Sequence, residues 1–309
     1  MPERVLNLLG DRLESAARAA VPDVEIISHP ADRVPDGVQA EAMFSTWTPM
    51  PVHERLDAIG VQWMHLPSTG VDRWPRELLD GRVVTCARGL SAIPIAEYVL
   101  TAMLAFEKDV PAIFLDAAPE HWNFAELGEL GERTVGIVGL GGIGEAVATR
   151  ALGFGCRVRA LRRHPEHGAP DGVELAADLE DLLASADHVV LAAPATAATE
   201  NLLDDAAFDV VKPGVHVVNI ARGSLIDQDA LRSALDDGRV AMATLDTVTP
   251  EPLPEDHWMY AHPKVRVTAH VSWSSPRAME RIQQSFIDNL RRFVAGETLL
   301  GIVDPDEGY

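Results

Sequence analysis

Thr134-Val135-Gly136-Ile137-Val138-Gly139-Leu140-Gly141-Gly142-Ile143-Gly144 is the stretch on which the fold turns. An apolar run of strand type enters a Gly-x-Gly-x-x-Gly turn, and Glu145-Ala146-Val147-Ala148-Thr149-Arg150 continues as helix. Strand, glycine turn and helix in that order form a dinucleotide-binding unit. Gly139 makes the tight turn, Gly141 lets backbone N–H groups approach a pyrophosphate, and Gly144 lets the helix pack close to the strand. The N–H groups of Gly142 and Ile143 open the helix and face the phosphates with the positive end of its dipole.

Outward from this stretch, short apolar runs alternate with helical patterns. Strands are expected at Val135–Gly139, Cys156–Leu161, His188–Ala192, Val215–Ile220, Ala241–Asp246 and Val265–Ala269, with helices such as Gly142–Leu152 and Asp227–Asp237 between them. That alternation predicts a doubly wound parallel sheet, and six strands complete a Rossmann domain. The first ~95 residues alternate in the same way over a smaller sheet (Arg4–Leu9, Val24–Ile27, Ala42–Ser45, Gln62–Leu66, Val83–Thr85) without a glycine fingerprint. Ile95–Phe106 and Pro276–Val294 read as long helices linking the halves, and Leu299–Val303 as a return to the first domain. The expected division is a substrate-binding domain of residues 1–95 and 282–309, and a cofactor domain of residues 96–281.

Composition narrows the function. At 309 residues, 47% of them hydrophobic, the chain suits two globular α/β domains. A net charge of −21 repels nucleic acid and anionic membrane, so neither is expected as a partner. A high-salt origin would account for the same acidity. No apolar run has the length of a membrane span, and Met1-Pro2-Glu3-Arg4 lacks a signal pattern. Two cysteines, Cys86 and Cys156, make neither a disulfide framework nor a metal cluster, so a reducing cytoplasm is expected and no metal is.

In an open α/β sheet, ligands bind outside the carboxyl ends of the strands. Arg222, Glu251 and His270 follow three successive strands at such ends. Singly each has an ordinary structural reading. Together, near a nicotinamide, they complete the chemistry for reducing a 2-keto acid. A guanidinium holds the substrate carboxylate and carbonyl oxygen in a fork. The imidazole supplies the proton as hydride arrives, and the carboxylate orients the ring and favours its charged form.

These segments resemble the D-isomer-specific 2-hydroxyacid dehydrogenase family. The likeness rests on Gly139-Leu140-Gly141-Gly142-Ile143-Gly144, Asn219-Ile220-Ala221-Arg222-Gly223, Leu245-Asp246 followed by Glu251-Pro252-Leu253-Pro254, and His270, in the family's order over nearly the whole chain. It implies that Arg222, Glu251 and His270 are the catalytic set and that Asp246 contacts the nicotinamide carboxamide. By the same resemblance Pro194 and Ala221 lie beside the cofactor. The loop Ser68-Thr69-Gly70-Val71-Asp72 would bind the substrate carboxylate through the N–H groups of Thr69 and Gly70. The implied fold is a Rossmann domain flanked by a smaller, flavodoxin-like substrate domain split between the termini, usually in a homodimer. The chain ends soon after Val303, so no regulatory C-terminal domain is expected.

Two departures from the family pattern bear on function. NAD-using members carry an acidic residue after the second Rossmann strand, where this chain has Arg162-Arg163-His164. Guanidinium groups there suit a 2′-phosphate, so NADP(H) is expected in preference to NAD(H). A solvated arginine pair is the alternative. Trp273, three places after the histidine, either narrows the pocket or belongs to a dimer contact. Trp47 and Arg88, in loops of the first half, are candidate readers of the substrate's remaining group. The run Glu251-Pro252-Leu253-Pro254 looks most like the glyoxylate and hydroxypyruvate reductase branch. A formate- or phosphite-type dehydrogenase is the second reading, although the formate type has glutamine where Glu251 stands. A nucleotide-sensing, corepressor-like binding protein is the third.

Overall fold

The computed structural model describes residues 4–123 and 125–304. The chain forms two compact units, one holding residues up to Ser91 and from Ser274 onward, the other Ala92–Trp273.

In the first unit, five strands form one parallel sheet: β1 Arg4–Asn7, β2 Glu25–Ser28, β3 Ala42–Phe44, β4 Trp63–Leu66 and β5 Val83–Cys86. Their order, β2-β1-β3-β4-β5, is the flavodoxin-like one. Helix Pro276–Ala295 opens with the Ser275 hydroxyl accepting from the Ala278 N–H at 3.0 Å and with proline at its first position. Its buried face of Ala278, Ile282, Phe286 and Leu290 follows helical spacing. Phe286 stacks on Phe44 at 4.2 Å and lies parallel to Trp63 at 5.5 Å, so this late helix seals one sheet face. The end of the described chain then returns to β5 as expected: Cys86 N–H donates to the Gly301 carbonyl, and Val303 N–H to that of Val84, both at 2.9 Å.

The second unit is a seven-stranded parallel sheet: β6 Thr134–Val138, β7 Arg157–Leu161, β8 Val173–Leu175, β9 His188–Leu191, β10 Val215–Asn219, β11 Val240–Leu245 and β12 Val265–Val267. Their order is β12-β11-β10-β9-β6-β7-β8. The six expected strands are present, and β8 is the addition. It has three residues, none of them fully buried, on an edge, too short and too mixed to show a period. Strands β6, β9 and β10 are buried throughout, which explains their mostly apolar sequences. From the neighbours β6 and β9 the chain winds outward in opposite directions, which makes their carboxyl ends the topological switch point. Among the described residues, no helix is long and apolar enough to cross a membrane.

Candidate active site

The glycine turn sits at that switch point. Gly139 has φ +99°, and a Cβ there would lie 2.6 Å from the Ala193 nitrogen in the loop after β9. A Cβ on Gly144 would meet the Gly139 carbonyl oxygen at 2.1 Å, so the helix Gly142–Gly153 crosses the turn at a distance only glycine permits. Gly141 is the opposite case: it caps that helix, is exposed, and its Cβ would meet nothing within 4 Å. Two glycines close the turn and the third leaves open space before a helix N-terminus. That is the cradle a dinucleotide pyrophosphate requires, so the residues present fit the group. Gly142 is exposed and Ile143 half-buried in the first helical turn. Pro194 lies exposed in the loop after β9, its carbonyl accepting from the Thr199 hydroxyl at 2.7 Å.

After β7, the Arg162 guanidinium donates to the Gly168 carbonyl at 2.5 Å and braces the turn that follows the strand. Arg163 beside it is exposed. Both lie at the carboxyl edge that carries the glycine turn.

Asn219, fully buried at the end of β10, shapes the Arg222 turn. Its side-chain oxygen accepts from the Ala221 N–H at 3.0 Å and its amide donates to the Arg222 carbonyl at 2.8 Å. Ala221 is buried, and its own carbonyl accepts from the Arg222 guanidinium at 2.7 Å. A Cβ on Gly223 would meet the Val248 carbonyl carbon at 2.0 Å, so the Arg222 turn lies directly on the loop leading to Glu251. Gln228 ties the two together from below by donating to the Thr249 carbonyl.

Glu251 and His270 are brought together. The His270 Nδ1 lies 3.0 Å from Glu251 Oε2, while the other carboxylate oxygen accepts from the Val248 N–H at 3.3 Å. The side chains are 30% and 20% exposed, open to a ligand yet partly desolvated. His270 Nε2 has no hydrogen-bond partner among the described residues. The histidine backbone is left-handed, φ +53°, a conformation that L side chains seldom adopt.

That backbone is held on every side. The His270 N–H donates to the Asp246 carbonyl at 2.9 Å, and the Trp273 indole N–H to the His270 carbonyl at 3.0 Å. The Asp246 carboxylate, 1% exposed, accepts from Val271 N–H (2.8 Å), Ser272 N–H (2.9 Å) and the Thr268 hydroxyl (2.6 Å). Asp246 therefore spends most of its lone pairs on the segment that carries His270. Trp273 takes a place that neither sequence alternative foresaw, as a brace on the histidine carbonyl. The Asn219 clamp has no signature in the motif that contains it, because it exists only once the turn has formed.

Thr69 and Gly70 belong to the first unit, beyond the carboxyl end of β4. There the Gly70 carbonyl accepts from the Ser68 hydroxyl at 2.9 Å, and the Thr69 carbonyl lies 3.4 Å from the Cys86 thiol. Burial pushes that thiol up against the opposing pull of Arg88. Trp47 and Arg88 both lie in exposed loops of the same unit.

Residues 100–272 match the NAD-binding domain of the D-isomer specific 2-hydroxyacid dehydrogenases, more than half of the chain, and the protein belongs to that family. It is 37% identical over 206 residues to D-3-phosphoglycerate dehydrogenase of Mycobacterium tuberculosis, a match covering 65% of this chain and 39% of that one. The chain thus spans about two fifths of the length of that curated relative. It is 33% identical over 218 residues to glyoxylate/hydroxypyruvate reductase A of Serratia proteamaculans, covering 69% and 68%. A D-isomer specific 2-hydroxyacid dehydrogenase from Xanthobacter autotrophicus, solved with NADPH and MES, superposes with TM-score 0.84 over 99% of both chains at 28% identity.

Proposed function

We propose that this chain reduces a small 2-keto acid of the glyoxylate or hydroxypyruvate kind to the D-2-hydroxy acid, and runs the reverse, with NADP(H) preferred and NAD(H) tolerated. The observation that carries this reading is the Glu251–His270 pair, 3.0 Å apart, on the sheet edge that also bears the Arg222 turn and the glycine cradle. Bound nicotinamide supplies or accepts the hydride at the substrate's C2. Arg222 grips the carboxylate and the carbonyl oxygen, fixing C2 for attack. His270 Nε2, with Nδ1 tied to Glu251, delivers the proton that the new alkoxide needs. Glu251 orients the ring through Nδ1, and a carboxylate where the formate type has glutamine speaks against that alternative.

The two units then divide the labour. Residues 1–95 and 282–309 take the substrate-binding part, with Thr69 and Gly70 offering main-chain N–H groups to the acid, and residues 96–281 hold the cofactor. Gly139 to Gly144, Pro194 and Ala221 line its path, and Asp246 remains the candidate for the carboxamide contact. Arg162 and Arg163 stand where a 2′-phosphate would lie, and the structural neighbour solved with NADPH supports that preference. Phe114 (71%), Leu115 (60%) and Trp122 (75%) are exposed apolar residues that a homodimer would cover. Two buried free thiols suit the proposed cytoplasmic location.

The test is NADPH oxidation at the nicotinamide absorbance with a panel of 2-keto acids, for wild type and Arg222→Lys. Wild type turns over small keto acids. The lysine keeps the charge but loses the planar fork, so it lowers kcat by ~10–100-fold. No turnover of any keto acid by wild type overturns the proposal, and full activity of the lysine variant removes the fork.

A further inference from the structure

Tyr98 lies on the helix Ala92–Glu107, 170 residues away in sequence from its hydrogen-bond partner Thr268, and no motif points to it. The Thr268 hydroxyl donates to Asp246 Oδ1 at 2.6 Å, and that donation uses its single proton. The 2.8 Å contact between the Tyr98 and Thr268 oxygens must then have the phenol as donor. Burial, followed by the charge of Asp246, moves the phenol above its usual range, although the Thr268 bond pulls the other way, so the donor keeps its proton at neutral pH. A directed chain results, from Tyr98 O–H to Thr268 O–H to the Asp246 carboxylate, which in turn accepts from the N–H groups of Val271 and Ser272. Those two N–H groups immediately follow His270, whose own N–H is held by the Asp246 carbonyl.

We propose that Tyr98 and Thr268 are positioning residues for His270: they fix the rotation of the Asp246 carboxylate, and with it the left-handed backbone that aims the imidazole. This rests on the reading of His270 as proton donor. Without the Thr268 hydroxyl, Asp246 keeps one backbone N–H on each oxygen, Val271 on Oδ1 and Ser272 on Oδ2, and the carboxylate is held less firmly about its Cβ–Cγ bond. The two N–H donors it holds then loosen, and the strained backbone at φ +53° relaxes toward an ordinary conformation. A displacement of the ring by a fraction of an ångström is enough to cost turnover, because proton transfer depends steeply on approach.

The variants are Tyr98→Phe, which deletes one hydroxyl, Thr268→Val, which deletes the relay, and Thr268→Ser, which keeps it. Each is made in wild type and in the His270→Ala background, and kcat, cofactor KM and the pH profile of kcat are measured. Tyr98→Phe should lower kcat by roughly 3–10-fold and Thr268→Val by roughly 10–50-fold, with cofactor KM within about twofold, while Thr268→Ser restores activity. In the His270→Ala background neither deletion should lower the residual rate further. Unchanged kcat and pH profile in Tyr98→Phe overturns the proposal. So does a loss expressed mainly in cofactor KM, which assigns the chain to the nicotinamide contact of Asp246, or a loss of equal size without His270. If His270→Ala itself stays within threefold of wild type, the proton-donor reading falls, and the outcome is distinct from failure of the relay.

Discussion

Two Glu–His pairs of the second unit lie at opposite ends of the same parallel sheet. At the carboxyl end, Glu251 and His270 lie 3.0 Å apart with side chains 20% and 30% exposed. At the amino end, Glu107 and His188 lie 3.1 Å apart with side chains 2% and 0% exposed. The chemistry of the partners is the same, and the surroundings make them different objects. Glu107 also receives two guanidinium bonds from Arg133, at 2.9 and 3.0 Å. His188 turns its other nitrogen to His216 at 3.1 Å, and His216 reaches the Thr244 hydroxyl at 2.9 Å. Burial raises the Glu107 carboxyl, but the bonds from His188 and Arg133 outweigh it and hold the group below the usual carboxylate range. Every polar atom of this chain of groups is spent within the protein. At the open end, His270 Nε2 is left over, aimed from a backbone held in a strained shape, and that surplus is what a proton donor needs.

The sharpest way to break this contrast is to remove each histidine. His270→Ala should lower kcat for keto-acid reduction by ~10²–10⁴-fold with cofactor KM and thermal stability nearly intact. His188→Ala should do the reverse. It strips a partner from a buried carboxylate and costs about 2–4 kcal/mol of stability, leaving kcat per folded molecule unchanged. Steady-state kinetics and denaturant melts on both variants decide the matter, and an inactive but stable His188→Ala would erase the distinction.

A second contrast concerns cations. At the amino end Arg133 pairs with Glu107 and Lys212 with Asp187. After β7 the Arg162 guanidinium donates to the Gly168 carbonyl oxygen, and Arg163 lies on the surface beside it. A charge-assisted contact to a 2′-phosphate contributes ~1.5–3 kcal/mol, so NADPH should be preferred over NADH by roughly one to two decades in KM, less at high salt. Arg162→Asp should reverse the order, and Arg163→Asp separates the phosphate contact from the brace on Gly168. Equal KM for both cofactors in wild type contradicts the preference.

Smaller effects sharpen the comparison. Glu251→Gln removes the carboxylate that holds His270 Nδ1, so kcat for keto-acid reduction should fall by roughly 10-fold with cofactor KM unchanged. An unchanged kcat would reduce Glu251 to loop structure. The closed histidines should act on stability instead. Burial takes His65, in the first unit, down to about 3, and burial followed by the charge of His188 takes His216 well below its ordinary range. Both stay neutral when folded and take up protons when unfolded. Stability is therefore full above the unfolded imidazole value of ~6.5 and falls as pH drops below it, by up to about 1.4 kcal/mol per pH unit for each group. Thermal melts between pH 7.5 and 5 should show that slope, and His65→Gln should flatten it.

The open end was legible in the sequence because its parts are local. A glycine spacing, an arginine, a carboxylate and a histidine each follow an apolar run, and the parallel topology does the gathering. The closed end was not. His188 and His216 look like ordinary strand residues, and Glu107 comes from a helix 81 residues before its partner. Tyr98 and the indole of Trp273 escaped for the same reason: side-chain contacts across a fold leave no period in the chain. Asp246 is a middle case: its place at a strand end is readable, while its engagement with the His270 segment emerges only in the folded chain.

The proposed hydride transfer to C2 of a 2-keto acid, with D stereochemistry, can be followed by isotope tracing. The protein is incubated with hydroxypyruvate and NADPH carrying deuterium at both C4 positions, and the product is examined by mass spectrometry and chiral chromatography. D-glycerate with one deuterium on C2 is the expected product. Unlabelled product, L-glycerate, or no product from hydroxypyruvate and glyoxylate alike would contradict that transfer.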